Sequence, residues 1–213
     1  MPDLQKRIPV LIANDQPLVR AGIATVLRSY SHIQVVGEAK NTVQVFDQLG
    51  KNRPKVLIID LRLERINTFD TIKKIRQDYP SVQIVVFSSS DGSEDIHRAI
   101  RAGARGYVSK DISDAELVEA IETVSSGGRH ISEQIAVRLS DRLDKSTLTR
   151  REMEVLHWII KGKTNKEIAD KLIMAEETVK HHVDNILSKL GVENRTSAAT
   201  AALLRGIIHP QDL

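Results

Sequence analysis

Val56-Leu-Ile-Ile-Asp60 is an unbroken apolar run that ends on a carboxylate. A run this short, rich in branched residues and without polar alternation, reads as a strand buried on both faces of a parallel sheet. The pattern recurs at Ile8–Ala13, Ile33–Gly37, Val82–Phe87 and Gly106–Val108. Helical segments lie between these runs, at Leu18–Arg28, Thr42–Leu49, Thr68–Asp78 and Ser93–Ala102, and Asp114–Val124 follows the last run. Five β-then-α units within residues 8–126 predict a doubly wound α/β domain. In such sheets the functional crevice lies beyond the carboxyl ends of the strands, where the strand order reverses.

Beyond residue 126 the period changes. Ser125-Ser126-Gly127-Gly128 is a flexible break, and Ile135, Leu139 and Leu143 repeat every four residues, which predicts a short helix within 132–143. Asp141–Ser146 reads as solvated linker. From Leu148 onward the pattern is wholly helical. Thr149-Arg-Arg-Glu152 is a capping box, with Leu148 and Met153 as its hydrophobic staple, and Gly162 suits the position just past that helix. Thr164-Asn-Lys-Glu167 is a second capping box, opening a helix to Leu172. A third helix runs from about Glu177 to Leu190 and stops at Gly191. Its apolar positions Val179, Val183, Ile186, Leu187 and Leu190 form one buried stripe. A fourth spans about Thr196–Arg205. The predicted organisation is therefore residues 1–126, a linker at 127–146 and a helical domain at 147–213.

The composition bounds the chemistry. The 213 residues are 41% apolar and 28% charged, enough for packed cores. There is no cysteine, which excludes disulfide scaffolds, thiolate-ligated metal and thiol catalysis. Aromatics at 3% are too few for a single-strand stacking platform. No run approaches the ~18 apolar residues of a membrane span, and Val10–Ala13 is too short for a signal-peptide core. A cytoplasmic protein is expected. The net charge is +3, and residues 146–213 hold ten basic and nine acidic side chains, so the excess is not concentrated in the helical domain. Charge permits a nucleic-acid partner without arguing for one.

Polar groups collect just past the strand ends: Asp15 after the first, Asp60 on the third, Ser88 on the fourth and Lys110 past the fifth. Any one of them reads as a helix cap. Four in matching units read as a site, because two carboxylates, a hydroxyl and an ammonium in one crevice can hold Mg²⁺ and a phosphoryl group. A carboxylate there can attack phosphorus and form an aspartyl phosphate.

Leu11-Ile-Ala-Asn-Asp-Gln-Pro-Leu-Val-Arg20, Val56–Asp60, Val85-Val-Phe-Ser88 and Ala102-Gly-Ala-Arg-Gly-Tyr-Val-Ser-Lys-Asp111 resemble the signature blocks of a response-regulator receiver domain. The resemblance implies a flavodoxin-like parallel sheet of order 2-1-3-4-5. It implies Asp60 as phosphoacceptor and a histidine kinase as donor. Asp15, Asp60 and the Arg62 backbone carbonyl would be Mg²⁺ ligands. Ser88 would follow the phosphoryl group, Lys110 would pair with it, and Tyr107 would be the aromatic switch. The chain departs from the pattern at Asn14, where the family carries a second acid. One charge is lost, so weaker Mg²⁺ binding is expected, with the Asn14 carbonyl able to hold a metal-bound water. The loop Arg62-Leu-Glu-Arg-Ile-Asn-Thr68 lacks the usual Pro and Gly and needs another backbone path.

In the helical half, Leu148–Leu156, Asn165-Lys-Glu-Ile-Ala169, Thr178-Val-Lys-His-His-Val183 and Leu187-Ser-Lys-Leu-Gly-Val192 resemble the LuxR-type helix-turn-helix. Together the halves are similar to the NarL/FixJ class of response regulators. That implies double-stranded DNA as partner, a homodimer on DNA through the fourth helix, and base reading from the third. By position Lys180, His181 and Asp184 face bases, while Asn165, Lys166, Thr178 and Lys189 face phosphates. Ala175 stands where the family has an N-capping Ser, a loss offset in part by Glu176 and Glu177.

The scattered histidines, including adjacent His181 and His182, lack metal-ligand spacing, and Trp158 reads as bundle core. The reading is a transcription regulator, not an enzyme, controlled by phosphorylation of Asp60. The alternative is a DNA-binding regulator, largely independent of phosphorylation, whose receiver binds a protein or ligand.

Overall fold

The computed structural model describes residues 7–63, 68–89, 92–132, 135–136 and 148–209. Most of the helix expected at 132–143, the linker at 141–146 and the tip of the loop after Asp60 lie outside these residues. The chain divides into two compact units, one built on a sheet and one on helices.

The first unit runs β1 (Ile8–Ala13), α1 (Pro17–Arg28), β2 (Ile33–Ala39), α2 (Thr42–Asn52), β3 (Val56–Asp60), α3 (Phe69–Asp78), β4 (Gln83–Ser88), α4 (Ser93–Ala102), β5 (Gly106–Ser109), α5 (Asp114–Ser125) and β6 (His130–Ile131). The sheet is parallel, in the order β2-β1-β3-β4-β5-β6. The first five strands lie as the receiver resemblance implies. All five residues of β3 are buried, as expected for the central strand of a sheet covered on both faces. Val10, Ile12, Val56, Ile58, Val85 and Val108 form one core with Ile23, Leu27, Leu117 and Ile121 from α1 and α5. The Asn41 side chain caps α2 and the Ser113 side chain caps α5.

The sixth strand was not expected. It comes from residues read as linker. Gly127 turns the chain at φ +91°, the His130 N–H donates to the Arg105 carbonyl at 3.0 Å, and His130 and Ile131 then pair with Gly106 and Tyr107. The edge of β5 left vacant by a five-strand sheet offers unpaired backbone groups, and the returning segment satisfies them.

The second unit holds α6 (Arg150–Ile160), α7 (Asn165–Leu172), α8 (Glu176–Leu190) and α9 (Arg195–Leu204). Both expected capping boxes are formed, from Thr149 with Glu152 and from Thr164 with Glu167. Gly162 and Gly191 take positive φ, 74° and 63°, just past α6 and α8. Val155, Leu156, Ile159, Ile168, Val179, Val183, Ile186, Leu190, Ala198 and Ala202 are buried in one core. Among the described residues no helix is long and apolar enough to cross a membrane.

Candidate functional site

β3 delivers Asp60 to the carboxyl edge of the sheet, 5% exposed. Its neighbours are fixed by register. β1 ends beside it at Asn14, which is 1% exposed, and β4 ends at Ser88, 2% exposed. The Lys110 N–H donates to the Ser88 carbonyl at 3.0 Å, which pins the segment after β5 to the end of β4. The Lys110 ammonium thereby reaches Asp60 Oδ2 at 2.6 Å. The Asn14 Nδ2 donates to the same oxygen at 2.6 Å. The Arg62 N–H donates to Asp60 Oδ1 at 3.0 Å. Three donors fix the orientation of this buried carboxylate and satisfy its oxygens.

The orientation of Asn14 is dictated by its second contact. The Gln16 backbone N–H, which can only donate, approaches Asn14 Oδ1 at 2.8 Å. The carboxamide oxygen is therefore turned to the backbone and its NH₂ to Asp60. The Asn14 side-chain carbonyl, expected to hold a metal-bound water, accepts this one backbone hydrogen bond at 2.8 Å. The remaining donor set fits a hard cation: Asp15 and Asp60 carboxylates and the Arg62 carbonyl supply oxygen ligands only. Asp15 is partly exposed at the end of β1. Tyr107 lies on β5 and is fully buried.

Two residues of this site escape sequence reasoning. Thr68 is 2% exposed. Its hydroxyl lies 3.0 Å from the Asp60 carbonyl and also contacts the Leu61 carbonyl, and its N–H donates to Leu61 at 3.3 Å. This is how a loop without Pro or Gly closes: a buried hydroxyl satisfies the carbonyls at the end of β3. Arg20 donates through Nη1 to the Asn14 carbonyl at 2.7 Å and pairs with Glu38 at 3.5 Å, bracing the end of β1. The sequence signal was present only as an arginine one turn into α1.

In the helical unit, α8 presents Lys180, His181, Asp184 and Ser188 to solvent, while Val179, Val183, Ile186 and Leu190 face the core. Lys180 makes an exposed contact with Glu177 at 3.6 Å, which is easily released. Thr178 at the start of α8 and Lys166 on α7 are exposed. Asn165 is partly buried, and its Oδ1 has no hydrogen-bond partner among the described residues. Ala175 caps α8 without a side-chain hydrogen bond, with Glu176 and Glu177 in the first turn, as expected.

Lys189 is placed differently from its neighbours. Its Nζ lies 2.9 and 2.8 Å from the two carboxylate oxygens of Glu152, which is 3% exposed. Glu152 also accepts from the Thr149 N–H at 2.6 Å. Burial raises the Glu152 pKa, but the Lys189 ammonium and the Thr149 donors outweigh it and hold the carboxyl below its ordinary value. Two further ties fix the bundle: Arg151 Nη2 donates to the Leu172 carbonyl at 2.7 Å, and Arg195 donates to the Lys163 carbonyl. Lys163 and Thr164 hold the Glu167 carboxyl down to about 2.

Comparison with known proteins agrees with both units. Residues 10–122 match the response regulator receiver domain, and residues 146–202 match the bacterial regulatory proteins of the luxR family. The chain therefore belongs to the response regulators that join a receiver to a LuxR-type DNA-binding domain. It is 33% identical to the transcriptional regulatory protein LnrK of Bacillus subtilis, over 94% of this chain and 98% of the relative. It is 34% identical to the transcriptional regulatory protein MctR of Rhizobium johnstonii, over 95% and 96%. Among solved structures it resembles RcsB from Salmonella enterica serovar Typhimurium, bound to a promoter in the presence of the phosphomimetic BeF₃⁻, with a TM-score of 0.73 at 26% identity over 95% of this chain and all of that one.

Proposed function

We propose that Asp60 accepts a phosphoryl group and that its modification governs binding of the helical unit to DNA. The observation that carries this reading is the Lys110 ammonium, 2.6 Å from a carboxylate that is itself 5% exposed. This partly buried lysine is paired with the carboxylate, and an ammonium that can transfer its contact to phosphoryl oxygens supplies charge where the reaction develops it. One carboxylate oxygen of Asp60 attacks the phosphorus of a phosphohistidine on a histidine kinase, and the histidine nitrogen leaves. Ser88, Lys110 and the Arg62 N–H are the donors for the added oxygens. Asp15, Asp60 and the Arg62 carbonyl would hold Mg²⁺, which neutralises charge on the transferring group. Tyr107 would report the change through the sheet.

On the helical unit, Lys180, His181 and Asp184 share the exposed face of α8 and are assigned to base edges. Lys166, Thr178 and the Asn165 amide are assigned to phosphates. Lys189 is assigned to holding α8 on α6, because its ammonium is already committed to Glu152. RcsB is seen on DNA in a solved structure that this chain resembles with a TM-score of 0.72. RcsB dimers are also seen on DNA, and by that likeness a homodimer on double-stranded DNA is the working form we assign. In this reading the protein acts as a transcription regulator, and its chemistry is its own phosphorylation.

The test is DNA binding with and without a phosphoryl mimic, on the wild type and on Asp60→Ala, joined to intact mass after incubation with Mg²⁺ and a small phosphodonor. Mass gain on the wild type alone and a mimic-dependent gain in affinity are expected. A receiver acting without phosphorylation is the second reading, favoured by the Asn14 contact to Asp60. It predicts no mass gain and equal DNA binding in every case.

A further inference from the structure

The geometry points to Asn14 as the residue that sets this pocket's demand for a divalent cation: the Lys110 ammonium balances the charge of the resting Asp60 carboxylate and the Asn14 NH₂ hydrogen-bonds the same oxygen, so that the pocket needs little from a metal and binds it weakly. This rests on the assignment of Asp15, Asp60 and the Arg62 carbonyl as the cation's holders.

Two observations carry it. Asn14 Nδ2 and Lys110 Nζ converge on one oxygen, each at 2.6 Å. The Gln16 N–H on Asn14 Oδ1, at 2.8 Å, forbids the flip that would turn the carboxamide oxygen into the pocket. A carboxylate at position 14 would reverse both effects. It would place a second negative charge against Asp60 at a position only 1% exposed, where water screens little. The pocket would then need a cation to be stable and would bind it more tightly. With an amide, repulsion becomes a hydrogen bond, and the cation loses a partner charge. Arg20 strengthens the arrangement by fixing the Asn14 backbone carbonyl at 2.7 Å, which leaves the side chain little freedom to rearrange around an ion.

The device has a functional sense. A receiver whose pocket is balanced by its own side chains keeps its strand ends in register whatever the free Mg²⁺ concentration. The cation is then recruited chiefly when a phosphoryl group adds its own charge.

The experiment is a Mg²⁺ titration of the full chain, followed by thermal melting and by backbone and side-chain amide NMR. The wild type is expected to melt alike in chelator and in millimolar Mg²⁺. Asn14→Asp is expected to melt lower in chelator, to recover with Mg²⁺, and to bind Mg²⁺ about tenfold more tightly or better from the added charge. Asn14→Ala is expected to lose stability without gaining Mg²⁺ affinity. Equal Mg²⁺ affinity in wild type and Asn14→Asp overturns the proposal. A measurement on the wild type alone stands if Asn14→Asp fails to fold: the Asn14 side-chain NH₂ resonances should stay fixed through the titration, and their displacement by millimolar Mg²⁺ overturns it too. Intact mass with a phosphodonor at saturating Mg²⁺ separates this from the wider reading. No mass gain on either protein sinks Asp60 as phosphoacceptor, while the difference in Mg²⁺ affinity still upholds the role of Asn14.

Discussion

Lys189, on the exposed-looking side of α8, is bound to Glu152 across the bundle, its Nζ 2.8 and 2.9 Å from the two carboxylate oxygens. The same carboxylate closes the capping box at the start of α6. One buried acid thus fixes both the entry of one helix and the position of another. Replacing Lys189 by Ala should cost about 2–3 kcal/mol in unfolding of the helical unit, below the ~3–5 of a fully buried pair because Lys189 is partly exposed. Affinity for specific and random DNA should fall together. The Glu152 carboxyl is held below its ordinary value, so the stability it contributes is complete above that value and is lost as pH falls through the folded-state one. Melting of the unit against pH should show an acid limb that Glu152→Gln reduces, the rest coming from carboxyls such as Glu167.

Closure of the loop after β3 depends on a hydroxyl. Thr68→Val keeps the shape and removes the donor to the Asp60 and Leu61 carbonyls. The Asp60 carbonyl loses its hydroxyl partner, which should cost about 1–3 kcal/mol in the first unit, while Leu61 keeps the backbone N–H of residue 68. Uptake of a phosphoryl group from a small donor should slow, read by intact mass against time, because Arg62 then no longer holds Asp60 Oδ1 in place.

Two positions around α8 leave stability unused. Ala175 makes no side-chain cap, and Ala175→Ser should raise stability by about 0.5–2 kcal/mol. Ile173 ends α7 with φ +53°, a left-handed conformation that a β-branched residue adopts only under strain, and its side chain is 92% exposed. Ile173→Gly should relieve about 1–2 kcal/mol. Denaturant midpoints of the helical unit check both, and the pair should add, since neither touches the core.

Base and phosphate roles separate by specificity. Lys180→Ala should change which sequences are preferred, at about 1–3 kcal/mol for the affected base pair. Lys166→Ala should weaken all sequences alike and lower the salt slope by about 1. Competition binding at several salt concentrations reads both, and equal losses on specific and random DNA for Lys180→Ala would refute its assignment.

The sheet unit was legible because buried parallel strands write themselves as apolar runs, and β1, β3 and β4 fall within a residue or so of those runs. Helix ends were legible wherever a capping box or a glycine marked them, as at Thr149, Thr164 and Gly191. What stayed hidden was pairing at a distance. Lys189 and Glu152 are separated by 37 residues, and a lysine at a solvent-facing register position looks the same whether it meets phosphate or carboxylate. Thr68 looked like the first residue of a helix because its partners are carbonyls, which every residue has. β6 was missed because two residues carry no period.

That sixth strand changes where the first unit can be cut. The joint between receiver and linker looks natural after α5, at the Ser125–Gly128 break. A fragment severed there would lose His130 and Ile131 and leave the backbone of β5 raw, with the Arg105 carbonyl unmet. Such an edge invites strand pairing between molecules. Chimeras that graft a foreign output onto this receiver should therefore be spliced beyond Ile131, and those joined earlier should be stickier, whatever output they carry.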